Sequence, residues 1–104
     1  MIRVSVLYPA GDGITFDHEY YREKHMPLCG RLLTPHGLVR YEIDRGVEHP
    51  VLGARSPYVG ACHFFFNSVE EYEAGIAATG AELVADIPNY TNSDAIIQIS
   101  EVVL

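Results

Sequence analysis

The chain has 104 residues, 48% of them hydrophobic and 20% charged, a composition typical of one globular domain spanning residues 1–104. Its formal net charge of −7 argues against binding to nucleic acid or to an anionic membrane surface. No apolar segment is long enough to cross a bilayer, and the N-terminus lacks the pattern of a signal peptide, so we expect a cytoplasmic location.

The first predicted element is a strand over residues 2–8, where polarity alternates. Ile2, Val4, Val6 and Tyr8 share its buried face. The glycine- and proline-rich stretch PAGDG, residues 9–13, ends this strand in a turn.

The stretch FDHEYYREKHMPL, residues 16–28, predicts the first helix, with Thr15 or Asp17 as its N-cap. Tyr21 and His25 lie one turn apart and share the face that also carries later apolar residues.

Pro27 disturbs this helix, since it lacks an amide donor and clashes with the carbonyl four residues before it. We therefore expect a kink or break near His25, with Met26 biased away from helical backbone angles.

Two further strands follow. Residues 38–47, LVRYEIDRGV, alternate in polarity and predict a half-buried strand that carries Tyr41 toward the helices. A long hairpin loop over residues 48–57 precedes YVGACHFFFN, residues 58–67, which is apolar on both faces. Alternation therefore does not fix its phase: either Cys62 or His63 faces the helices, but not both.

A capping box of Ser68 and Glu71 starts the second helix, which we expect to end near Asp86. We interpret Asp86 and Asn89 as a helix end and an Asx turn. The segment AIIQISEVVL closes the chain as a strand, with Ile97 and Ile99 on one face and Gln98 and Ser100 on the other.

This β-α-β-β-α-β order predicts an α+β, ferredoxin-like fold: a four-stranded antiparallel sheet with both helices on one face. The uncovered face would show phenylalanines of the third strand beside Arg40, Glu42 and Gln98. Because such mixed aromatic and polar patches mark interfaces, we expect a homodimer formed through this open face, a closed α/β barrel.

FDHEYYREKHMPL resembles the EthD family of small dimeric α/β-barrel proteins, and ELVADIPNYTNSDAIIQISEV resembles the C-terminal pattern of that family. The resemblance spans essentially the whole chain and implies a ferredoxin-like protomer and a homodimer. Some members are accessory proteins, and others are cofactor-free enzymes that act on lactones or polyketides. Similarity to methylmuconolactone methylisomerase implies an acid–base pocket at His25, Tyr41 and Cys62.

His25 is the first candidate for catalysis, because an imidazole exchanges protons near neutral pH. The alternative is a core histidine bonded to a backbone carbonyl that Pro27 leaves free. Tyr21 and Tyr41 can orient a carbonyl or lactone oxygen, although tyrosines also fill cores, and for Tyr90 we expect packing or surface.

Cys62 on a strand is more often an inert buried thiol than a nucleophile. His63 contributes to substrate binding if the third strand turns it toward the helices; otherwise it lines the dimer barrel.

No metal site or cofactor site is predicted. His18 and His25 are seven residues apart, about 10.5 Å along a helix, too far to share one ion. The two cysteines form no CxxC motif, and no glycine-rich phosphate loop follows a strand.

Three functions remain open on the sequence. The first is a cofactor-independent isomerase or lyase that acts on a lactone or other small oxygenated ring compound. The second is an accessory module that binds a small hydrophobic or oxygenated ligand without chemistry. The third, by analogy of fold, is a cofactor-free monooxygenase.

Overall fold

A computed structural model describes residues 1–104. Its elements are β1 (Ile2–Pro9), α1 (His18–Tyr20), a π-helical turn (Tyr21–His25), α2 (Met26–Leu33), a 3₁₀ turn (Thr34–His36), β2 (Arg40–Arg45), β3 (Tyr58–Phe66), α3 (Val69–Asp86), a 3₁₀ turn (Ile87–Asn89) and β4 (Ile96–Glu101). The four strands form one antiparallel sheet in the order β2-β3-β1-β4, and the helices pack against one face. The predicted ferredoxin-like fold is therefore confirmed.

Both predicted helix starts are present. Asp17 caps α1, accepting a hydrogen bond from the Tyr20 amide at 3.0 Å. Ser68 caps α3 in the same way, accepting from the Glu71 amide at 3.2 Å.

The disturbance predicted at Pro27 takes the form of a π-helical turn and not of a break. The Met26 amide donates to the Tyr21 carbonyl, five residues back, and α2 continues with Pro27 in its first turn. The expectation for Met26 is wrong, because its backbone is helical (φ −68°, ψ −38°). The wider turn accommodates the proline ring without ending the helix.

Strand register fixes the phase of β3. Cys62 pairs with Val6 on β1 and with Ile43 on β2, and residues paired directly across an antiparallel sheet share a face. Cys62 therefore points toward the helices, whereas His63 lies on the open face opposite Ser5.

The outer strand β4 behaves as its alternation predicts. Ile97 and Ile99 pair with Val6 and Val4 and share their helix-facing side, while Gln98 pairs with Ser5 on the open side. Ile97 and Ile99 are nevertheless 56% and 45% exposed, because β4 lies at the edge of the sheet beyond the helices.

The core lies between the sheet and the helices. It is aliphatic toward the C-terminal end of α2 and rich in tyrosine around the π-helical turn. Its buried members are Val4, Tyr8, Tyr21, Met26, Cys29, Leu33, Leu38, Cys62, Phe64, Phe66, Leu83 and Tyr90. No helix has the length and apolarity needed to cross a membrane.

Candidate functional site

His25 lies inside the protein at the end of the π-helical turn, with 5% of its surface exposed. Its Nδ1 is 2.8 Å from Asp86 Oδ2, and its Nε2 is 3.2 Å from the Tyr90 hydroxyl. Because a carboxylate only accepts, Nδ1–H donates to Asp86 and the Nε2 lone pair accepts from Tyr90. The ring therefore bonds side chains, not the backbone carbonyl expected of a core histidine.

Asp86 ends α3 and holds the imidazole in this tautomer. Its other oxygen, Oδ1, accepts from the Tyr20 hydroxyl at 2.7 Å and from Asn89 Nδ2 at 3.0 Å. Partial burial raises the pKa of Asp86, but the hydrogen bonds from Tyr20, Asn89 and His25 together bring that pKa below its ordinary value. Asp86 is therefore a carboxylate at neutral pH.

Burial has the opposite consequence for His25. Desolvation lowers the pKa of the imidazole more than the neighbouring Asp86 carboxylate raises it, so His25 is neutral at pH 7. A neutral imidazole held by a carboxylate is the usual form of a positioned general base.

Two tyrosines extend the network beyond His25. The Tyr8 and Tyr90 hydroxyls are 2.6 Å apart, and since Tyr90 donates to His25, Tyr8 donates to Tyr90. Burial raises the pKa of Tyr8 to about 12 and raises that of Tyr90 as well, so both phenols stay protonated. The result is a directed relay from Tyr8 through Tyr90 and His25 to Asp86.

Tyr21 packs against this relay through its ring. The ring lies nearly parallel to the His25 imidazole, with centroids 5.6 Å apart. The Tyr21 hydroxyl is buried and makes no hydrogen bond, although the Cys62 thiol lies near it. Tyr21 therefore lies against His25 with its ring, while its hydroxyl lies near Cys62. Its assignment to substrate binding stays a prediction.

Cys62 lies on the same side of the sheet, next to Tyr21, as a free and buried thiol. Burial raises the pKa of Cys62 to about 12, despite a partly compensating contact with Tyr21. The group is a protonated thiol at neutral pH, and nothing activates it as a nucleophile.

Tyr41 and His63 are not in contact with His25. The Tyr41 ring faces the helices, as expected, but packs over Gly30 of α2: a Cβ built on Gly30 would lie 3.0 Å from the ring.

His63 lies on the open face in a separate cluster. Its Nδ1 is 2.7 Å from Ser5 Oγ, and its Nε2 is 2.6 Å from Asp44 Oδ2. The sheet separates these groups from His25, so the two histidines belong to different clusters.

Sequence reasoning did not assign Asp86, Tyr90, Tyr8 or Tyr20 to the site. Asp86 is indeed a helix end, but it is also the partner of His25, 61 residues away in the chain. The signal available was topological: antiparallel helices place the end of the second beside the start of the first.

A surface cleft of about 640 Å³ lies on the far side of Tyr90. It is formed by residues 15–17 and 87–94, so Tyr90 both lines the cleft and belongs to the relay.

Comparisons with known proteins agree with this architecture. The family model for the EthD domain matches residues 15–94. An EthD-like protein from Ralstonia eutropha JMP134 has 38% identity and a TM-score of 0.92, covering 99% of this chain and 92% of that one. No curated protein matches the chain.

Two more distant structures share the fold alone. The cofactor-independent oxygenase SnoaB from Streptomyces nogalater has 10% identity and a TM-score of 0.65, covering 99% of this chain and 92% of that one. A dimeric ferredoxin-like protein from an uncultured marine organism has 16% identity and a TM-score of 0.57, covering 100% and 96%.

Proposed function

Because this chain belongs to the EthD family, we propose that it is a cofactor-independent enzyme with acid–base chemistry, an isomerase or a lyase. Its substrate in this proposal is a lactone or other small oxygenated ring compound of catabolic or secondary metabolism. Neither a metal nor an organic cofactor takes part. The cytoplasmic location inferred from the sequence stays a prediction.

The observation that carries the proposal is the neutral His25 imidazole, held by Asp86 through Nδ1 and with an unprotonated Nε2 that accepts a hydrogen bond from Tyr90. Nε2 takes a proton from a carbon next to the substrate carbonyl, and the Asp86 carboxylate stabilises the imidazolium that forms. Return of the proton to a different carbon completes an isomerisation, whereas loss of a leaving group from the enolate completes an elimination.

The phenols supply stabilisation for the enolate oxygen. Tyr90 shifts its hydrogen bond from His25 Nε2 to the substrate oxygen, and Tyr8 supports it through the 2.6 Å contact between the two hydroxyls. The unpartnered Tyr21 hydroxyl is a second donor for the same oxygen. In this scheme Cys62 packs beside Tyr21, whereas Tyr41, which packs over Gly30, has no role.

Two alternatives each have an observation in their favour. The fold shared with a cofactor-independent oxygenase favours a monooxygenase, in which His25 deprotonates a quinol-type substrate that then reacts with O₂. The protonated Cys62 thiol, which leaves the site without a nucleophile, favours a module that binds its ligand without chemistry.

Deuterium exchange tests the first proposal. The protein would be incubated in D₂O with a panel of unsaturated γ-lactones, and deuterium at carbon read by NMR. We expect exchange by the wild type and a loss of about 100-fold or more in His25→Gln. His49→Gln, which removes an exposed histidine in the hairpin loop, is the matched control.

Each outcome separates the candidates. Equal exchange by His25→Gln and the wild type would refute the role of His25. O₂ consumption with an anthrone-type substrate, also dependent on His25, would favour the monooxygenase. Tight ligand binding with neither exchange nor O₂ consumption would favour the accessory module.

We also propose that two copies associate through the open sheet face. A protein of the same fold is dimeric, and the open face presents Ile96, which is 51% exposed, beside Leu7. Ile96→Asp should therefore convert the dimer to a monomer in size-exclusion chromatography with light scattering. Ile97→Asp, at a similarly exposed position on the opposite face, should leave the dimer intact; dissociation by both would refute this interface.

A further inference from the structure

The cleft outside Tyr90 has an unusual distribution of hydrogen-bonding groups. Apart from Thr15, every side-chain hydroxyl and amide in it already donates a hydrogen bond within the protein. Thr91 donates to the Thr15 carbonyl, Asn92 to the Gly13 carbonyl, Ser93 to the Pro9 carbonyl, Asn89 to Asp86, and Tyr90 to His25.

The side-chain groups left for a ligand are three acceptors and two donors, the donors being the Thr15 hydroxyl and the second N–H of the Asn92 amide. The Asp94 carboxylate makes no hydrogen bond, and Asp17 uses only Oδ1 to cap its helix. The Asn89 side-chain carbonyl is also free, since only the amide nitrogen is engaged. A ligand that fills this cleft satisfies these groups only by donating hydrogen bonds to them.

The charges around the cleft also disfavour an anionic ligand. Of the residues that line the cleft, Asp17 and Asp94 are acidic and none is lysine, arginine or histidine. The ionised Asp86 lies behind Tyr90, and the whole chain carries a net charge of −7. A second cleft, of about 390 Å³, does contain an arginine, Arg55, but lies elsewhere, against Ala10 and Val59.

We infer that the cleft beside Tyr90 selects uncharged ring compounds with hydroxyl groups and rejects carboxylates. The inference rests on the proposed function, because it assigns the cleft as the entrance to His25. The ring packs on the partly exposed Phe16, and its hydroxyls donate to Asp94 and Asn89. A carboxylate on the same ring is repelled by Asp17 and Asp94.

Three matched probes test this selectivity: hydroquinone, its carboxylated analogue 2,5-dihydroxybenzoate, and 1,4-dimethoxybenzene, which has no donors. Each would be titrated into the ¹⁵N-labelled protein, and Kd taken from the amide shifts of residues 15–17 and 87–94. We expect hydroquinone to bind roughly tenfold more tightly than either analogue, a difference of about 1.4 kcal/mol. Asp17 and Asp94 together repel the carboxylated probe, and the dimethoxy probe leaves the acceptors without a donor.

Asp94→Asn should reduce the preference for hydroquinone over the carboxylated probe to about threefold, since one of the two repelling charges is gone. Glu73→Gln removes the same charge from an exposed position on α3, outside the cleft, and should leave the preference unchanged. An equal effect of both variants would show general electrostatics and would overturn the inference.

Other results also overturn it. These are equal Kd values for hydroquinone and 2,5-dihydroxybenzoate, shifts confined to the cleft around Arg55, or no shift with any probe. Because the readout is binding and not turnover, its failure is distinct from that of the proposed function. If the cleft shows no selectivity, the deuterium exchange that depends on His25 is unaffected. If exchange turns out not to depend on His25, the measured selectivity of the cleft still stands.

Discussion

Replacing Asp86 with asparagine tests whether this side chain sets the tautomer of His25. The carboxylate only accepts, so it fixes the proton on Nδ1 and leaves Nε2 basic. An asparagine amide at the same position donates to Nδ1 and drives the proton to Nε2. The Tyr90 hydroxyl then faces an N–H group, and the base is lost.

The structure sets the magnitude of the effect. Asp86 accepts at 2.7, 2.8 and 3.0 Å from Tyr20, His25 and Asn89, and its side chain is only 16% exposed. A hydrogen bond to a charged group contributes about 1.5–3 kcal/mol, and a neutral one about 1 kcal/mol. Neutralising the acceptor should lower the free energy of unfolding by about 2–4 kcal/mol, which a stable domain tolerates.

The rate of deuterium exchange should fall by more than the loss of stability explains. An orienting aspartate changed to asparagine beside a catalytic histidine lowers kcat by about 10⁴-fold when the wrong tautomer is trapped. We expect a fall of about 10³–10⁴-fold in deuterium exchange by Asp86→Asn, with the fold retained.

Urea denaturation measures the stability, and ¹⁵N chemical shifts of the His25 ring report the tautomer directly. Asp44→Asn is the matched control, because Asp44 also bonds a histidine, His63, but is 59% exposed on the other face of the sheet. It should cost less than about 1 kcal/mol and leave His25 unchanged. An unchanged His25 tautomer in Asp86→Asn would refute the reasoning.

The remaining predictions concern protonation and the phenols. Burial keeps the pKa of His25 below 6.5 in the folded state, so the unfolded chain binds more protons below that pH. The free energy of unfolding should therefore fall as pH drops from about 6.5 toward the folded pKa. Urea denaturation should show a smaller fall in His25→Gln than in His49→Gln. Equal falls in the two variants would contradict this. Tyr90→Phe leaves the buried Tyr8 hydroxyl and His25 Nε2 without a partner, so it should cost about 1–3 kcal/mol in urea denaturation and reduce exchange at least tenfold. Wild-type exchange by this variant would remove Tyr90 from the mechanism. Burial raises the pKa of Cys62 to about 12, so iodoacetamide at pH 7.5 should label this thiol only after denaturation. Mass spectrometry would detect the label. Rapid labelling of the native protein would show that Cys62 can act as a nucleophile.

Local patterns in the sequence determined most of the fold. Alternation in β1 and β2, the caps at Asp17 and Ser68, and the order of the elements depend on neighbouring residues, so they can be recognised without knowing the packing. Pro27 likewise indicated where the first helix is disturbed, although a π turn rather than a break resolves the clash.

Tertiary structure decided the rest. β3 is apolar on both faces, so only its register with β1 and β2 shows that Cys62 faces the helices and His63 does not. The partners of His25 were beyond local patterns for a similar reason, because Asp86 and Tyr90 lie 61 and 65 residues away. The sequence marked His25 as a candidate, but only the packing of α3 against the first helices supplies the hydrogen bonds that orient its ring.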